Sequence, residues 1–475
     1  MTHQTGPQAR GGGMGVSASW AGEARASLVL AWPLIITQIA QIAFWTTDVV
    51  VMGWLGAEFL AAGALATSLF NPLIVGGFGV VLATSPMVAQ AIGARDFKSI
   101  RRTVRVGFWA ALIVAAAIMP IIWQAEGFLL LVGQDPEISK LSATFLHYAV
   151  WSVPTALLFN VLRSFISAKG NTQVVLVITL GCVTLNALLN YLLVFGNLGF
   201  PRLEIVGSGI ATSITNLIMF LIALAYAVYA KRYRRHFILV RLWKPDWPRF
   251  FEFFRIGLPI GLTLLSEVGL FGVAVLLMGW LGPAEVAGHA IALQCAAITF
   301  MVPLGLSQAT TIRVGLAFGA QDHRGVSLAG WTSLALTLCF MVFTCMAFLL
   351  VPYQLATLFL DPDNPENSAS IGLAVSYLIV AAAFQFFDGT QVSMAAALRG
   401  LSDTRVPMVV ALVGYWVVGL GTAYICGFTL GGRGVGIWIG LAAGLAFVAV
   451  VLAWRWINRE RLGLVKHAPL VADPS

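Results

Sequence analysis

The sequence predicts an all-α integral membrane protein of twelve transmembrane helices, arranged as two parallel six-helix repeats that form two lobes around a central cavity. Of the 475 residues, 59% are hydrophobic and only 10% are charged, and the mean hydropathy is +0.88. Apolar stretches long enough to cross a hydrocarbon layer of about 30 Å recur along nearly the whole chain. A short motif also recurs half a chain apart, which predicts the repeat.

The apolar stretches are continuous and rich in Leu, Ala, Val and Ile. A membrane β-barrel would instead need segments of about ten residues with alternating polarity. The stretches therefore predict helices. The predicted spans are 27–52, 60–83, 106–124, 142–162, 173–195, 206–230, 256–280, 286–310, 327–351, 371–397, 407–429 and 434–456.

The repeated motif is MGWLG, which occurs at 52–56 and again at 278–282, an offset of 226 residues. At the same offset, Pro33 matches Pro259 and Asp96 matches Asp322. Because six spans are an even number, both repeats enter the membrane from the same side and are parallel. The predicted organisation is a cytoplasmic tail at 1–25, an N-terminal lobe at 26–230, a cytoplasmic linker at 231–255, a C-terminal lobe at 256–457 and a cytoplasmic tail at 458–475.

The basic residues predict how the chain is oriented in the membrane. If the N-terminus is cytoplasmic, all of the 28 Lys and Arg residues except Lys140, Arg202 and Arg433 fall in cytoplasmic segments or at cytoplasmic helix ends. Both termini are therefore expected in the cytoplasm. The net charge of +8 reflects this topology rather than a nucleic-acid partner, and it makes membrane lipid an expected partner through anionic headgroups.

Sequence signatures of an enzyme are lacking. The chain has no GxxxxGK[ST] motif and no HExxH motif, and its six histidines show no metal-ligand spacing. A membrane-embedded enzyme or scaffold is a rival interpretation, against which stand the repeat and the missing catalytic constellation. The sequence therefore predicts a transporter with no cofactor, driven by an ion gradient or by a partner.

Three carboxylates lie within predicted spans: Asp48 in the first, Glu267 in the seventh and Asp388 in the tenth. Each costs about 2.5–3.5 kcal/mol at the centre of a bilayer, so a function is favoured over the alternative of hydrogen bonding that merely holds helices together. At the repeat offset, Glu267 matches Gln41, whereas Asp48 matches Ala274. The two halves are therefore chemically unequal.

Polar and aromatic residues surround these carboxylates. Gln41 lies two helical turns before Asp48, and two glutamines flank Asp388 at three-residue spacing. Aromatic rings beside carboxylates favour a lipophilic cation, through charge pairing and cation–π attraction. Small polar residues of the fifth and sixth spans serve helix packing as often as ligand binding, and their proximity to Asp48 is a hypothesis. The further residues predicted to line a substrate or ion cavity are Trp45, Asn186, Asn190, Thr212, Gln385, Gln391, Tyr415 and Trp416.

Three stretches together resemble the multidrug and toxic compound extrusion (MATE) family in its NorM-type branch: TTDVVVMGWLG, LPIGLTLLSEVGLF and FFDGTQVSMAAALRGLSDT. The resemblance covers about residues 25–457. It implies a bacterial inner-membrane antiporter that exports cationic, amphipathic, drug-like compounds in exchange for inward Na⁺ or H⁺. It also implies an acidic cluster in the C-terminal lobe, which Glu267 and Asp388 match and where Na⁺ is expected, and an aspartate in the first helix, which Asp48 matches. A monomer is expected.

Several members of that family carry a second carboxylate on the fifth helix, where this chain has Asn186 and Asn190. An alternative function is a flippase or exporter of a lipid-linked saccharide of the same superfamily. Such relatives often have fourteen helices and a basic cavity. This chain has twelve predicted spans, and no Lys or Arg lies deep within one of them.

Overall fold

The computed structural model describes residues 19–233, 237–238 and 240–465. The predicted tails at 1–25 and 458–475 and the predicted linker at 231–255 therefore lie partly outside the described residues. The helices of the N-terminal half are α1 (Trp20–Leu55), α2 (Ala57–Val81), α3 (Thr84–Gly93), α4 (Phe97–Trp123), α5 (Ala125–Leu131), α6 (Pro136–Ala149), α7 (Ser152–Ala168), α8 (Thr172–Phe195) and α9 (Glu204–Tyr229).

The C-terminal half continues the helical pattern, and the described residues contain no strand. Its helices are α10 (Trp247–Leu281), α11 (Pro283–Gly319), α12 (His323–Leu350), α13 (Pro352–Thr357), α14 (Ser368–Gly400), α15 (Arg405–Leu412), α16 (Leu420–Tyr424) and α17 (Arg433–Ile457). Within these residues, eleven helices are long and apolar enough to cross a membrane, and the bent pair α6–α7 makes a twelfth span. The prediction of an all-α protein with twelve spans is confirmed.

The helices extend beyond the apolar stretches that predicted them. Helix α1 begins at Trp20 instead of 27, and α11 ends at Gly319 instead of 310. The added turns contain charged residues that protein contacts satisfy, since Glu23 pairs with Arg313. Ser19 also caps α1 by accepting a hydrogen bond from the backbone of Gly22. Hydropathy alone therefore underestimates the length of these two helices.

The fourth span differs from the single straight helix predicted at 142–162. Helices α6 and α7 meet at an angle of 46°. Pro154, in the first turn of α7, has no N–H to donate to the carbonyl of Val150, and its ring clashes with that carbonyl in a continuous helix. The α-helix is therefore interrupted at this point.

The eleventh span also departs from regular α-helix. Val413–Gly419 and Ile425–Thr429 form π-helical turns on either side of α16. Such wide turns are frequent at functional sites in proteins.

The backbone confirms the internal repeat. Gly56 ends α1 with φ = 142°, and Gly282 ends α10 with φ = 131°, a region that side chains rarely allow. Asp96 and Asp322 precede α4 and α12 with φ = −90° and −91°, and each accepts hydrogen bonds from the first turn of its helix. Positions 226 residues apart therefore adopt the same local structure.

Each half has its own hydrophobic core. One core contains residues of α1–α9 together with four residues of α11. The second core contains residues from 270 to 465. A small third cluster joins α3 and α4 to α10 and contains Ala83, Met87, Val106, Ala110, Phe253, Ile256 and Ile260. Each lobe thus has a core of its own, and side chains of α10 and α11 join the two lobes.

Glycines form much of the interface between the lobes. A Cβ atom added at Gly79 of α2 would lie 2.5 Å from the Cα atom of Gly261 of α10. A Cβ atom at Gly319 of α11 would lie 2.8 Å from the Cα atom of Gln90 of α3. Because small residues let helix backbones approach closely, these crossings bring the lobes into direct main-chain contact.

Polar links join the lobes at the end of the molecule formed by the loops at 94–96, 169–171, 240–246 and 320–322, which we call the basic end. Arg313 of α11 forms a buried, two-pronged ion pair with Glu23 of α1. The amide of Gln90 donates to the carbonyl of Gly400 at 2.8 Å and to the hydroxyl of Ser402 at 2.9 Å. These contacts hold the two lobes together at the basic end.

Two arginines are buried just beyond the ends of predicted spans. Arg163 of α7 is only 7% exposed, and it donates to the side chains of Gln38 at 2.6 Å and Gln308 at 2.7 Å. Arg313 is also buried. Both follow the ends of predicted spans by one to three residues, where the helices continue and neighbouring side chains supply acceptors.

We expect Gly56→Ala to lower the free energy of unfolding by about 1–3 kcal/mol, because alanine is strained at a φ of 142°. The matched control is Gly53→Ala, which lies within α1 and has only ordinary contacts around an added Cβ. Thermal unfolding of the purified variants in detergent compares them. Equal unfolding temperatures for the two variants would contradict the assigned strain.

Candidate functional site

The N-terminal lobe builds a polar site around Asp48, which is 4% exposed. One carboxylate oxygen accepts a hydrogen bond from the Nδ2 atom of Asn190 at 2.8 Å. The other accepts from the hydroxyl of Thr212 at 2.9 Å. The site therefore joins α1, α8 and α9, and the hypothesis that the fifth and sixth spans meet Asp48 is confirmed for these two residues.

Asn186 lies one helical turn before Asn190, and both are completely buried. The Nδ2 atom of Asn190 is 3.2 Å from the Oδ1 atom of Asn186. Within the described residues, the Nδ2 atom of Asn186 and the Oδ1 atom of Asn190 have no hydrogen-bond partner. The site thus keeps a free donor and a free acceptor beside a carboxylate that no ion pair in the described residues neutralises.

A cavity of about 90 Å³ lies beside this site, and Thr212 belongs to both. Of the predicted residues, Gln41 and Trp45 also line it. Five aromatic rings and six polar side chains supply most of the wall, and four aliphatic side chains supply the rest. The complete lining is Gln41, Phe44, Trp45, Phe70, Ile74, Phe78, Ser152, Ala156, Phe159, Asn160, Thr179, Val183, Thr212, Asn216 and Met219.

The C-terminal lobe builds a second acidic site from Glu267 of α10 and Asp388 of α14. Asp388 is 7% exposed, whereas Glu267 is partly exposed. The two carboxylates are close enough for their charges to interact. Arg399, on α14, is close enough to Glu267 for an attractive interaction. Two carboxylates and one guanidinium leave this cluster with one net negative charge when all are ionised.

A hydrogen-bonded chain leads from Asp388 to the eleventh span. The Nε2 atom of Gln391 lies 3.5 Å from a carboxylate oxygen of Asp388, and the hydroxyl of Tyr415 donates to the Oε1 atom of Gln391 at 2.6 Å. Tyr415 belongs to the first π-helical segment and is fully buried. The irregular helix therefore brings a tyrosine hydroxyl into contact with the glutamine beside the acidic pair.

The structure does not bring all predicted residues together. Gln385 accepts a hydrogen bond from Thr344 of α12 at 2.8 Å, one turn away from Asp388. Trp416 donates its indole N–H to Ser266 at 2.6 Å and is 43% exposed. The predicted residues thus form two sites in separate lobes, with Gln385 and Trp416 at the margin of the second.

Sequence reasoning missed two further buried carboxylates, because both lie just outside the predicted spans. Glu23 pairs with Arg313. Glu285, 3% exposed, accepts from Arg433 at 2.9 Å and from Tyr377. Both differ from Asp48 in having a cationic partner. Among the described residues, no group of three or more His, Cys, Asp or Glu side chains is placed to hold a metal ion.

Comparison with known proteins places these features in a family. The MatE family profile matches residues 33–192 and 259–425. The chain is 46% identical over 445 residues to a probable multidrug resistance protein NorM of Mesorhizobium japonicum, covering 93% of this chain and 95% of the relative. It is 44% identical over 443 residues to the corresponding protein of Rhizobium meliloti, covering 93% and 95%. A MATE crystal structure in the bent conformation matches with a TM-score of 0.84 at 21% identity, covering 94% of this chain and 98% of that chain.

We expect Thr212→Val to lower the free energy of unfolding by about 1.5–3 kcal/mol, because it removes a hydrogen bond to a buried carboxylate. In an Asp48→Asn background, Thr212→Val should lower the free energy of unfolding by less, because the side chain that loses the hydrogen bond is then neutral. Thermal unfolding of the single and double variants measures this coupling. Thr47→Val is the control, because Thr47 bonds only to the carbonyl of Ala43 in its own helix. Additive losses in the Asp48–Thr212 cycle would contradict the assigned contact.

Proposed function

Since the chain belongs to the MatE family, we propose that it is a multidrug efflux transporter that exchanges a cationic, amphipathic compound for an inward-moving Na⁺ or H⁺. It is a transporter and not an enzyme. The observation that carries the proposal is the Asp48 site: a buried carboxylate without an ion-pair partner in the described residues, beside a cavity walled by aromatic rings.

The cavity suits a lipophilic cation. Phe44, Trp45 and Phe70 present ring faces or edges on one wall, where Trp45 contacts both phenylalanines. Such rings attract a desolvated cation by about 2 kcal/mol. Thr212 connects the cavity to the carboxylate, so a cation in the cavity approaches a fixed negative charge.

Competition between ion and drug follows from the same geometry. Both oxygens of Asp48 accept from neutral donors, Asn190 and Thr212, which leave its charge in place. Burying an unpaired charge is costly, so the site favours one positive species at a time. A proton or Na⁺ that binds Asp48 removes the attraction for the drug, and the drug is released.

The C-terminal acidic pair is proposed as the second ion site. With Arg399 nearby, Glu267 and Asp388 retain one net negative charge, which one monovalent cation neutralises. Carboxylate oxygens and the amide oxygen of Gln391 are the kinds of ligand that Na⁺ accepts. Protonation of one carboxylate would neutralise the same charge, so the proposed coupling ion is Na⁺ or H⁺. No other cofactor is proposed.

Alternating access is proposed to proceed by rocking of the two lobes. The lobes are linked at the basic end by Glu23–Arg313, by Gln90 and by Arg163. Drug entry from this end requires these links to open. We place the protein in a bacterial inner membrane, with the basic end and both termini on the cytoplasmic side. The drug then leaves at the opposite end of the molecule. The protein is proposed to act as a monomer.

Export of a lipid-linked saccharide is less well supported. A diphosphate would require a basic cavity, yet no Lys or Arg lines the cavity beside Asp48. Arg163 lies outside that lining, and its guanidinium donates to two glutamines. The geometry therefore favours a cationic substrate.

We expect Asp48→Asn to weaken binding of a lipophilic cation by about ten- to a hundredfold, because a charged contact of about 1.5–3 kcal/mol is removed. Fluorescence titration of the purified variant with ethidium measures the affinity. Asp388→Asn is the matched control in the other lobe and should bind with near-wild-type affinity. If Asp48→Asn binds as tightly as wild type, with the same dependence on Na⁺ and pH, the competition at Asp48 is refuted.

Glu267→Gln and Asp388→Asn should reduce gradient-driven efflux at least tenfold, while membrane abundance remains near that of wild type. Each substitution keeps the size of the side chain and removes the charge that the coupling ion neutralises. Drug movement in reconstituted vesicles, started by a Na⁺ gradient or by a pH gradient, gives the readout and identifies the ion. Asp363→Asn, in an exposed loop, is the control. Unchanged efflux in both variants would leave these acids with a structural role only.

A further inference from the structure

A second cavity, of about 270 Å³, lies at the basic end, away from both acidic sites. Three parts of the chain form it: α4, the segment 243–246 that precedes α10, and the first turn of α10. Its lining is Arg105, Val106, Trp109, Ile113, Trp243, Lys244, Pro245, Asp246, Trp247 and Phe250. The cavity thus lies where a connection between the lobes packs against the N-terminal lobe.

The charge in this cavity is not balanced. Asp246 is held by Arg102 in a two-pronged ion pair at 2.5 and 2.9 Å, and this hydrogen bonding lowers the pKa of Asp246 below its usual value. Arg105 reaches the same carboxylate only at 3.4 Å. Lys244 adds another positive charge to the lining. The lining therefore holds one carboxylate and two cations, and the carboxylate is paired most closely with Arg102, which lies outside the lining.

Arg105 has unused hydrogen-bonding capacity. It is 9% exposed, and its Nη1 atom donates to the carbonyl of Arg241 at 3.2 Å. Its Nε atom is buried without a hydrogen-bond partner in the described residues. A buried guanidinium with a free donor and a weak ion pair favours an additional anionic acceptor.

The order of residues along α4 matches a lipid molecule. Arg105, Trp109 and Ile113 are spaced by four residues, so they lie on one face of α4 and descend about 12 Å from the basic end into the apolar part of the span. A cation, an indole and an aliphatic side chain thus follow the order of headgroup, interface and acyl chain. Trp243 and Trp247 are 78% and 60% exposed, as expected of side chains at a membrane surface.

We propose that this cavity binds the phosphate headgroup of one anionic phospholipid, held by Arg105 and Lys244, with an acyl chain along Trp109 and Ile113. The site spans α4 of one lobe and the start of α10 of the other, so a bound lipid stabilises the contact between the lobes at the basic end. A zwitterionic phospholipid carries its own cation and gains less from the unbalanced charge.

The test compares lipid binding to the purified full-length protein. Native mass spectrometry and thermal unfolding are measured after addition of phosphatidylglycerol, phosphatidylcholine or inorganic phosphate to the detergent-solubilised protein. Wild type should retain phosphatidylglycerol and unfold at a higher temperature with it than with phosphatidylcholine. Lys244→Gln and Arg105→Gln should each weaken phosphatidylglycerol binding by about fivefold.

The matched control is Lys98→Gln, which removes another exposed positive charge, at the start of α4 and outside the cavity lining. It should bind phosphatidylglycerol like wild type. Equal losses in Lys98→Gln and Lys244→Gln would refute the site, because surface charge alone would then explain binding. Stabilisation by inorganic phosphate to the same extent, or by phosphatidylcholine, would also refute a headgroup site. If Arg105→Gln fails to fold, the exposed Lys244→Gln still decides the outcome.

Discussion

The cost of placing charge inside an apolar helical bundle is the constraint on which this structure depends. The chain meets it in two ways. Glu23 is paired with Arg313, and Glu285 accepts from an arginine and a tyrosine, so these charges are compensated within the protein. Asp48 receives only neutral donors, and Asp388 has a glutamine and another acid beside it. All four carboxylates are buried, but only Glu23 and Glu285 have an ion-pair partner within the described residues.

The repeat explains why the protein has two such sites that differ. The first helix of each lobe ends at an equivalent glycine, Gly56 or Gly282, with the same unusual backbone conformation. In the repeat, the position of Gln41 in the first half is equivalent to that of Glu267 in the second half. The acidic partner of Glu267 is Asp388 of α14, whereas Asp48 in the N-terminal lobe is bonded only by Asn190 and Thr212. A shared scaffold thus supports one carboxylate in the N-terminal lobe and a pair in the C-terminal lobe.

Most of the fold and part of the acidic sites could be predicted from the sequence, and the features that could not be predicted have physical causes. Continuous apolar stretches located all twelve spans, because water is absent from the hydrocarbon layer and only helices satisfy the backbone there. The stretches did not reveal the bend before Pro154, nor the turns of α1 and α11 whose polar residues are satisfied by the other lobe. Asp48 was identifiable as an exception in an apolar helix, but its contacts with Asn190 and Thr212 required the packing of three helices. The lining residues Phe159 and Asn160 gave no signal, since a single asparagine in a span is common in helix packing.

The glycine crossings between the lobes have a mechanical consequence. Where Gly79 faces Gly261 and Gly319 faces Gln90, main chain touches main chain, and no side chains interlock. Elsewhere between the lobes apolar side chains do pack: Ile256 and Ile260 of α10 lie against α3 and α4, and Leu306 of α11 belongs to the N-terminal core. Rocking of the lobes would therefore have to move these side chains as well as break the polar links, whereas the glycine crossings present no side chains that would have to move.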